Sequence, residues 1–181
     1  MAISFRVPGI TSVIAQDGPM TCWATVYTMM ISWKRSFMMG IRESVAEVDN
    51  KYALFYDAGL RTVPNPPGPQ GLPSNEFGPF LRAAHMTHEP MANLPPAQWE
   101  RLMRSHGLLW IGTLNVLGPG GGLHSRIIEA VDGNGGSTDT FFSIIDPDGG
   151  RQYRERFDVF LAKYEGAIAG VGGEYFQIRH F

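Results

Sequence analysis

The sequence predicts an α+β fold in which an N-terminal helical half, built round one central helix, packs on a C-terminal antiparallel β-sheet. Three observations lead there. Residues 19–39 hold Cys22, Trp23, Val26, Tyr27, Met29, Met30, Ile31 and Trp33, a pattern apolar nearly all round, as a buried helix is. From residue 108 onward the chain changes to short apolar runs parted by glycine-rich and Asp-Gly or Asp-Pro turns. Helices come first and strands last, which is the order of α+β chains rather than of alternating βαβ units.

The elements follow in order. Residues 1–18 read as extended and end in the turn Asp17-Gly18-Pro19. Pro19 suits a first helical position, and Asp17 or Gly18 suits the cap of the helix 19–39. Lys34 and Arg35 put positive charge toward its C-terminal end, and Gly40 stops it. A second helix is expected over 42–59. The proline-rich stretch 64–73 is a loop. A short helix over 74–85 with Ser74 as cap follows, then one over 95–106 with Trp99, Leu102 and Met103 on one face and Gly107 at its end. Strands are expected at 108–116, 126–131 and 140–145, joined by the loop 118–122 and the turn 132–137. A turn at 146–150, a helix over 157–164 and a strand at 174–179 complete the chain. With no internal repeat and no long linker, residues 1–181 read as a single domain.

Composition agrees. A length of 181 residues fits one domain, and 44% hydrophobic with 18% charged residues supports a real core over disorder. The net charge is −2 without a basic run, so nothing favours nucleic acid or an anionic membrane. No stretch of about 18 apolar residues offers a membrane span. The first 18 residues lack the basic start and apolar run of a secretory signal. The expectation is a cytoplasmic protein, with export by a leaderless route left open. Cys22 is the one cysteine, which excludes an internal disulfide and suits a reducing compartment.

Four residues stand out chemically. Cys22 falls in the first turn of the predicted helix, where backbone N–H groups and the helix dipole favour the thiolate a nucleophile needs. A buried structural cysteine is the competing reading. Gln16 lies six residues earlier across the turn, where its amide can join the Cys22 N–H as an oxyanion hole; an exposed loop residue is the alternative. His124 opens a strand after the glycine-rich loop, and Asp146 ends the neighbouring strand of an antiparallel pair. The two can meet, and a carboxylate fixes an imidazole's tautomer. A strand-end histidine and an Asp-Pro turn residue are the plainer uses.

The segment Gln16-Asp-Gly-Pro-Met-Thr-Cys22-Trp23-Ala24 resembles the nucleophile segment of papain-like cysteine peptidases. Gly107-Leu-Leu-Trp110-Ile, His124 and Asp146-Pro147 follow in the family's order, from about residue 16 to 164. The pattern is most similar to the compact bacterial branch, which includes secreted effector proteases and bacteriocin-processing peptidases. Thr21 precedes the cysteine where plant and lysosomal enzymes have Gly-Ser, and Asp146 stands where they use asparagine. The resemblance implies a papain-like fold with Cys22 on the central nucleophile helix. It implies a thiol protease that hydrolyses peptide bonds, with Cys22 as nucleophile, His124 as base, Asp146 orienting it and Gln16 at the oxyanion. Trp23, Gly121 and Gly122 are expected at the substrate cleft. No cofactor or metal is needed, and protein or peptide substrates are the expected partners. By analogy with bacterial effectors and toxins, the chain would act in a target cell's cytosol, and its producer would need an immunity or inhibitor protein over the cleft.

Other readings keep the Cys–His pair and change the substrate: an amidase or peptidoglycan peptidase, or a deamidase or acyl transferase. A non-enzymatic binding module on a decayed peptidase fold is a further alternative, opposed by the presence of all four residues. The loop 118–122 lacks the ending of a phosphate loop. His85, His88 and Glu89 offer metal-ligand types without a matched further ligand. Asp146-Pro-Asp148-Gly149 lacks the later glutamate of a calcium loop.

Overall fold

The structure is a computed structural model that describes residues 2–9, 11–61, 71–117, 122–168 and 176–181. Its Cα positions form two compact units. One comprises Met1–Pro8, His88–Asp146 and Gln152–Phe181, and the other Gly9–Thr87 and Pro147–Arg151.

The second unit is helical. Helix α1, Cys22–Arg35, buries ten consecutive residues from Trp23 to Ser32, as its all-round apolar pattern requires. It begins at Cys22 rather than at residue 19: its N-cap is Thr21, not Asp17 or Gly18, and no side chain caps it. Lys34 and Arg35 occupy its last turn, and Ser36 ends it in a left-handed conformation. The single helix expected over 42–59 is two, α2 (Ile41–Val48) and α3 (Asn50–Gly59). Asp49 breaks the run because its backbone is extended, and its carboxylate accepts the Lys51 N–H at 2.9 Å as an N-cap does. The helix expected over 74–85 is a 3-10 turn, Ser74–Glu76, followed by α4, Phe77–Ala83, and Ser74 caps neither. Phe80 of α4 is the hub of this core. The rings of Trp23, Tyr27 and Tyr52 meet it edge-on at 5.4, 5.0 and 4.8 Å, the geometry the ring quadrupoles favour.

Among the described residues the other unit is built on a sheet of seven strands: β1 (Ile3–Arg6), β2 (Thr87–Glu89), β3 (Leu109–Leu114), β4 (Leu123–Gly133), β5 (Thr140–Asp146), β6 (Arg151–Arg156) and β7 (Ile178–His180). The spatial order is β2-β7-β3-β4-β5-β6, with β1 also paired to β4. The pairs of β4 with β1, β3 and β5 are antiparallel. Strands β2 and β6 were not expected from the sequence. The expected strand 174–179 begins at Ile178 among the described residues, residues 174 and 175 lying outside them. Helix α5 (Pro96–His106) packs on β1, β3 and β4, and α6 (Phe157–Ile168) on β3 and β5. Trp99 anchors this core, with Phe142, Phe160 and Tyr164 edge-on at 5.7, 5.5 and 5.5 Å.

The central strand β4 positions the candidate site. Its first half pairs with β3, placing Thr113 against His124, and its second half with β1, placing Phe5 against Val131. On the β5 side the register is Ile127 to Ile145, then shifts by one residue between Ile128 and Ala130. Glu129 is the extra residue of this bulge. Its carboxylate accepts from Arg6 at 2.7 Å and from Gln152.

Candidate active site

Antiparallel pairing of β4 and β5 explains how His124 and Asp146 come together. Ile127 faces Ile145 across the ladder, so Arg126 and Asp146 lie one step further out, and His124 two residues beyond on the same side as Arg126. Both site side chains are buried, Asp146 to 1% exposure. His124 Nε2 and Asp146 Oδ1 are 2.6 Å apart.

Arg126 completes this arrangement. Its Nε donates to Asp146 Oδ2 at 2.8 Å, so histidine and guanidinium each take one carboxylate oxygen. The guanidinium is itself held: Nη1 donates to Thr113 Oγ1 and, at 2.9 Å, to Leu114 O, and Nη2 donates to Asn115 O at 3.2 Å. Burial alone would raise the Asp146 carboxyl, but the His124 hydrogen bond and the Arg126 charge outweigh it. They hold the group well below the usual carboxylate range. An ionised carboxylate only accepts hydrogen bonds, so the proton in the 2.6 Å bond sits on His124 Nε2. When the ring is neutral, Nδ1 is therefore its basic nitrogen. Asp148, the other acid of the turn, pairs with Arg151 at 2.7 Å instead.

The remaining expected residues belong to the helical unit or to the hairpin. Cys22 is the first residue of α1 and is half-buried. The segment before it is tied down within its own unit. Thr21 Oγ1 accepts from Gly18 N–H at 3.1 Å, and Tyr56 hydroxyl donates to Asp17. Burial, then the Asp17 carboxylate, push the Tyr56 phenol upward, so it stays a donor. Gly18 approaches α3 so closely that a Cβ there would lie 2.6 Å from Gly59 O and from Leu60 Cα. Gln16 donates one amide N–H to Gly18 O at 2.9 Å, and an amide NH₂ carries a second. Its backbone N–H donates to Pro147 O at 2.8 Å. Trp23, expected at the cleft, has its ring in the core against Phe80. Gly122 is exposed at the β3–β4 hairpin, which Asn115 closes by accepting Gly122 N–H at 2.9 Å. Gly121 lies outside the described residues.

A family model described as papain-like cysteine protease AvrRpt2 matches residues 1–165. The chain belongs to that family. It is thus classed with the papain-like cysteine peptidases, which are hydrolases, as the Cys22-Trp23 segment implied. No curated protein matches the sequence. Among solved structures, the crystal structure of UfSP from C. elegans is similar in fold, with a TM-score of 0.51 at 16% identity. That alignment covers 99% of this chain and 34% of the other, so this chain spans about a third of that protein's length. The α+β, papain-like architecture expected from the sequence is the one found.

Arg126 is the site residue that sequence reasoning missed. A signal was present: it stands two residues from His124 in a strand, on the same face, just before Ile127 and Ile128. A charged side chain there is either exposed or paired, and 5% exposure shows burial.

Proposed function

We propose that this chain is a cysteine endopeptidase, with residues 1–181 as one peptidase domain. The observation that carries the reading is the buried His124–Asp146 pair, held in one tautomer by Arg126, in a chain of the papain-like cysteine protease family. His124 Nδ1 takes the Cys22 thiol proton as sulfur attacks the scissile carbonyl carbon. Asp146 holds the resulting imidazolium through Nε2–H. The Cys22 N–H and the second amide N–H of Gln16 bind the oxyanion. As the tetrahedral adduct collapses, His124 gives its proton to the leaving amine and an acyl thioester remains. Water, deprotonated by His124, then attacks the thioester, and Cys22 and the new carboxylic acid are released.

The substrate is a protein or peptide, and the setting is the cytosol of a target cell into which the chain is delivered as a bacterial effector. An immunity or inhibitor protein of the producing cell covers the cleft. Among the described residues no helix is long and apolar enough to cross a membrane.

Proteomic mapping of new N-termini in a target-cell lysate tests the reading. Termini made by the wild type and absent with Cys22→Ala are expected. Equal cleavage by both proteins overturns it. Opening of purified cell wall without protein cleavage would transfer the same chemistry to an amidase.

A further inference from the structure

In the sheet unit, away from His124, three metal-ligand side chains converge at the ends of three elements. Glu89 ends β2, His106 ends α5 and His180 ends β7. Strand β7 lies between β2 and β3, with Arg179 against Trp110, so His180 falls beside the start of β3. Helix α5 passes into β3 through Gly107, whose φ of 79° and ψ of −133° suit only glycine. This sharp reversal lays His106 over His180, with ring centroids 3.7 Å apart. Glu89 Oε1 lies 2.9 Å from His180 Nε2. One ligand atom from each residue falls within 4.8 Å of the others.

We propose that Glu89, His106 and His180 form a binding site for a divalent transition-metal ion of the zinc class, with water completing the coordination. Two imidazoles and one carboxylate are a donor set such ions favour. Calcium and magnesium demand oxygen ligands and are excluded by the two nitrogens. The His180 side chain is 4% exposed and fixed, whereas Glu89 is 29% exposed, so an ion enters from the Glu89 side.

Binding requires movement. Metal–ligand bonds of about 2.0–2.1 Å in a tetrahedron place ligand atoms about 3.3 Å apart. The farthest ligand atoms therefore close by at most about 1.5 Å, and the Glu89–His180 pair opens from 2.9 Å. The stacked rings must also splay, because a lone pair points along the ring plane and not across the stack. His106 is half-buried at a helix end, where its ring can turn. An ion so held ties the ends of β2 and β7 to α5.

The test uses tag-free Cys22→Ala protein, which removes the thiol as a competing ligand and makes the result independent of peptidase activity. Titration with Co²⁺ should give one saturating site with visible d–d bands and no thiolate charge-transfer band, and Zn²⁺ should displace it. Glu89→Gln and His106→Ala, both at solvent-reached positions, should each weaken binding by more than the about 10–100-fold that loss of an outer-shell partner costs. Zn²⁺ should raise the melting temperature of the parent but not of His106→Ala. No saturable Co²⁺ spectrum, or binding that survives both substitutions, overturns the proposal. In that event the three residues are an ion pair capped by a stacked ring.

Discussion

Asp146 faces two donors of different kinds. A histidine can be neutral or charged, whereas an arginine is always charged. In the proposed cycle the arginine thus keeps the carboxylate ionised even when the imidazole is neutral, and so keeps the tautomer fixed. Removing it should raise the Asp146 pKa, since burial then acts with less opposition. Arg126→Lys and Arg126→Ala should therefore move the acid limb of kcat/KM to higher pH, alanine more than lysine. In an Asp146→Asn background neither substitution should shift that limb, because the positioning acts through Asp146. An unmoved limb in a folded Arg126→Ala protein leaves the arginine a purely structural role. The proposed roles also rank substitutions. Cys22→Ala and His124→Ala should each abolish turnover, with the double variant little worse than either. Asp146→Ala should be milder. Gln16→Ala should lower kcat by about 10²–10³-fold with little change in KM, as loss of one oxyanion donor does. Steady-state kinetics on one cleaved peptide checks the order.

At the scale of elements, the segment ahead of α1 depends on a close backbone approach. A methyl group at Gly18 would meet Gly59 O and Leu60 Cα at 2.6 Å, and neither backbone atom yields cheaply. Gly18→Ala should cost about 1–3 kcal/mol, the usual effect of overpacking, measured by denaturant unfolding. It should also depress activity by displacing Cys22, and an unchanged midpoint would show that α3 moves freely. What the sequence disclosed follows the same physics. Helix α1 was legible because its apolar residues surround the axis, and the β4–β5 hairpin because turn residues flank Ile127–Val131 and Phe141–Ile145. The break at Asp49 was missed although aspartate is a common N-cap, because the pattern on either side reads as one helix. Strand β6, Arg-Gln-Tyr-Arg-Glu-Arg, was missed because it ends the strand order and points its arginines at solvent, the composition that guards exposed edges. His124 and Asp146 were legible from the hairpin alone. Glu89, His106 and His180 were not, because the elements they end are distant in sequence and only the sheet order joins them.

For the molecule as a whole, the depressed Asp146 pKa links stability to acidity. A carboxyl whose folded pKa lies below its unfolded value stabilises the fold above the unfolded pKa of about 3.9, and that contribution is lost as pH falls toward the folded value. The melting-temperature gap between wild type and Asp146→Asn should be full near neutrality and narrow from about pH 4 downward. A gap that stays constant through that range would place the stabilising charge elsewhere.

The pairing of β1 with the second half of β4 also has a consequence for synthesis. Phe5 meets Val131, so the first strand leaves the ribosome about 125 residues ahead of its partner. At roughly 5–20 residues per second the wait is about 6–25 s. Throughout it Ile3, Phe5 and Val7, two of them core residues, have no ladder to join. The sheet therefore cannot be completed in the order in which it is made. Nascent chains stalled before residue 130 should leave residues 3–7 open to pulse proteolysis, and chains released past residue 133 should close them.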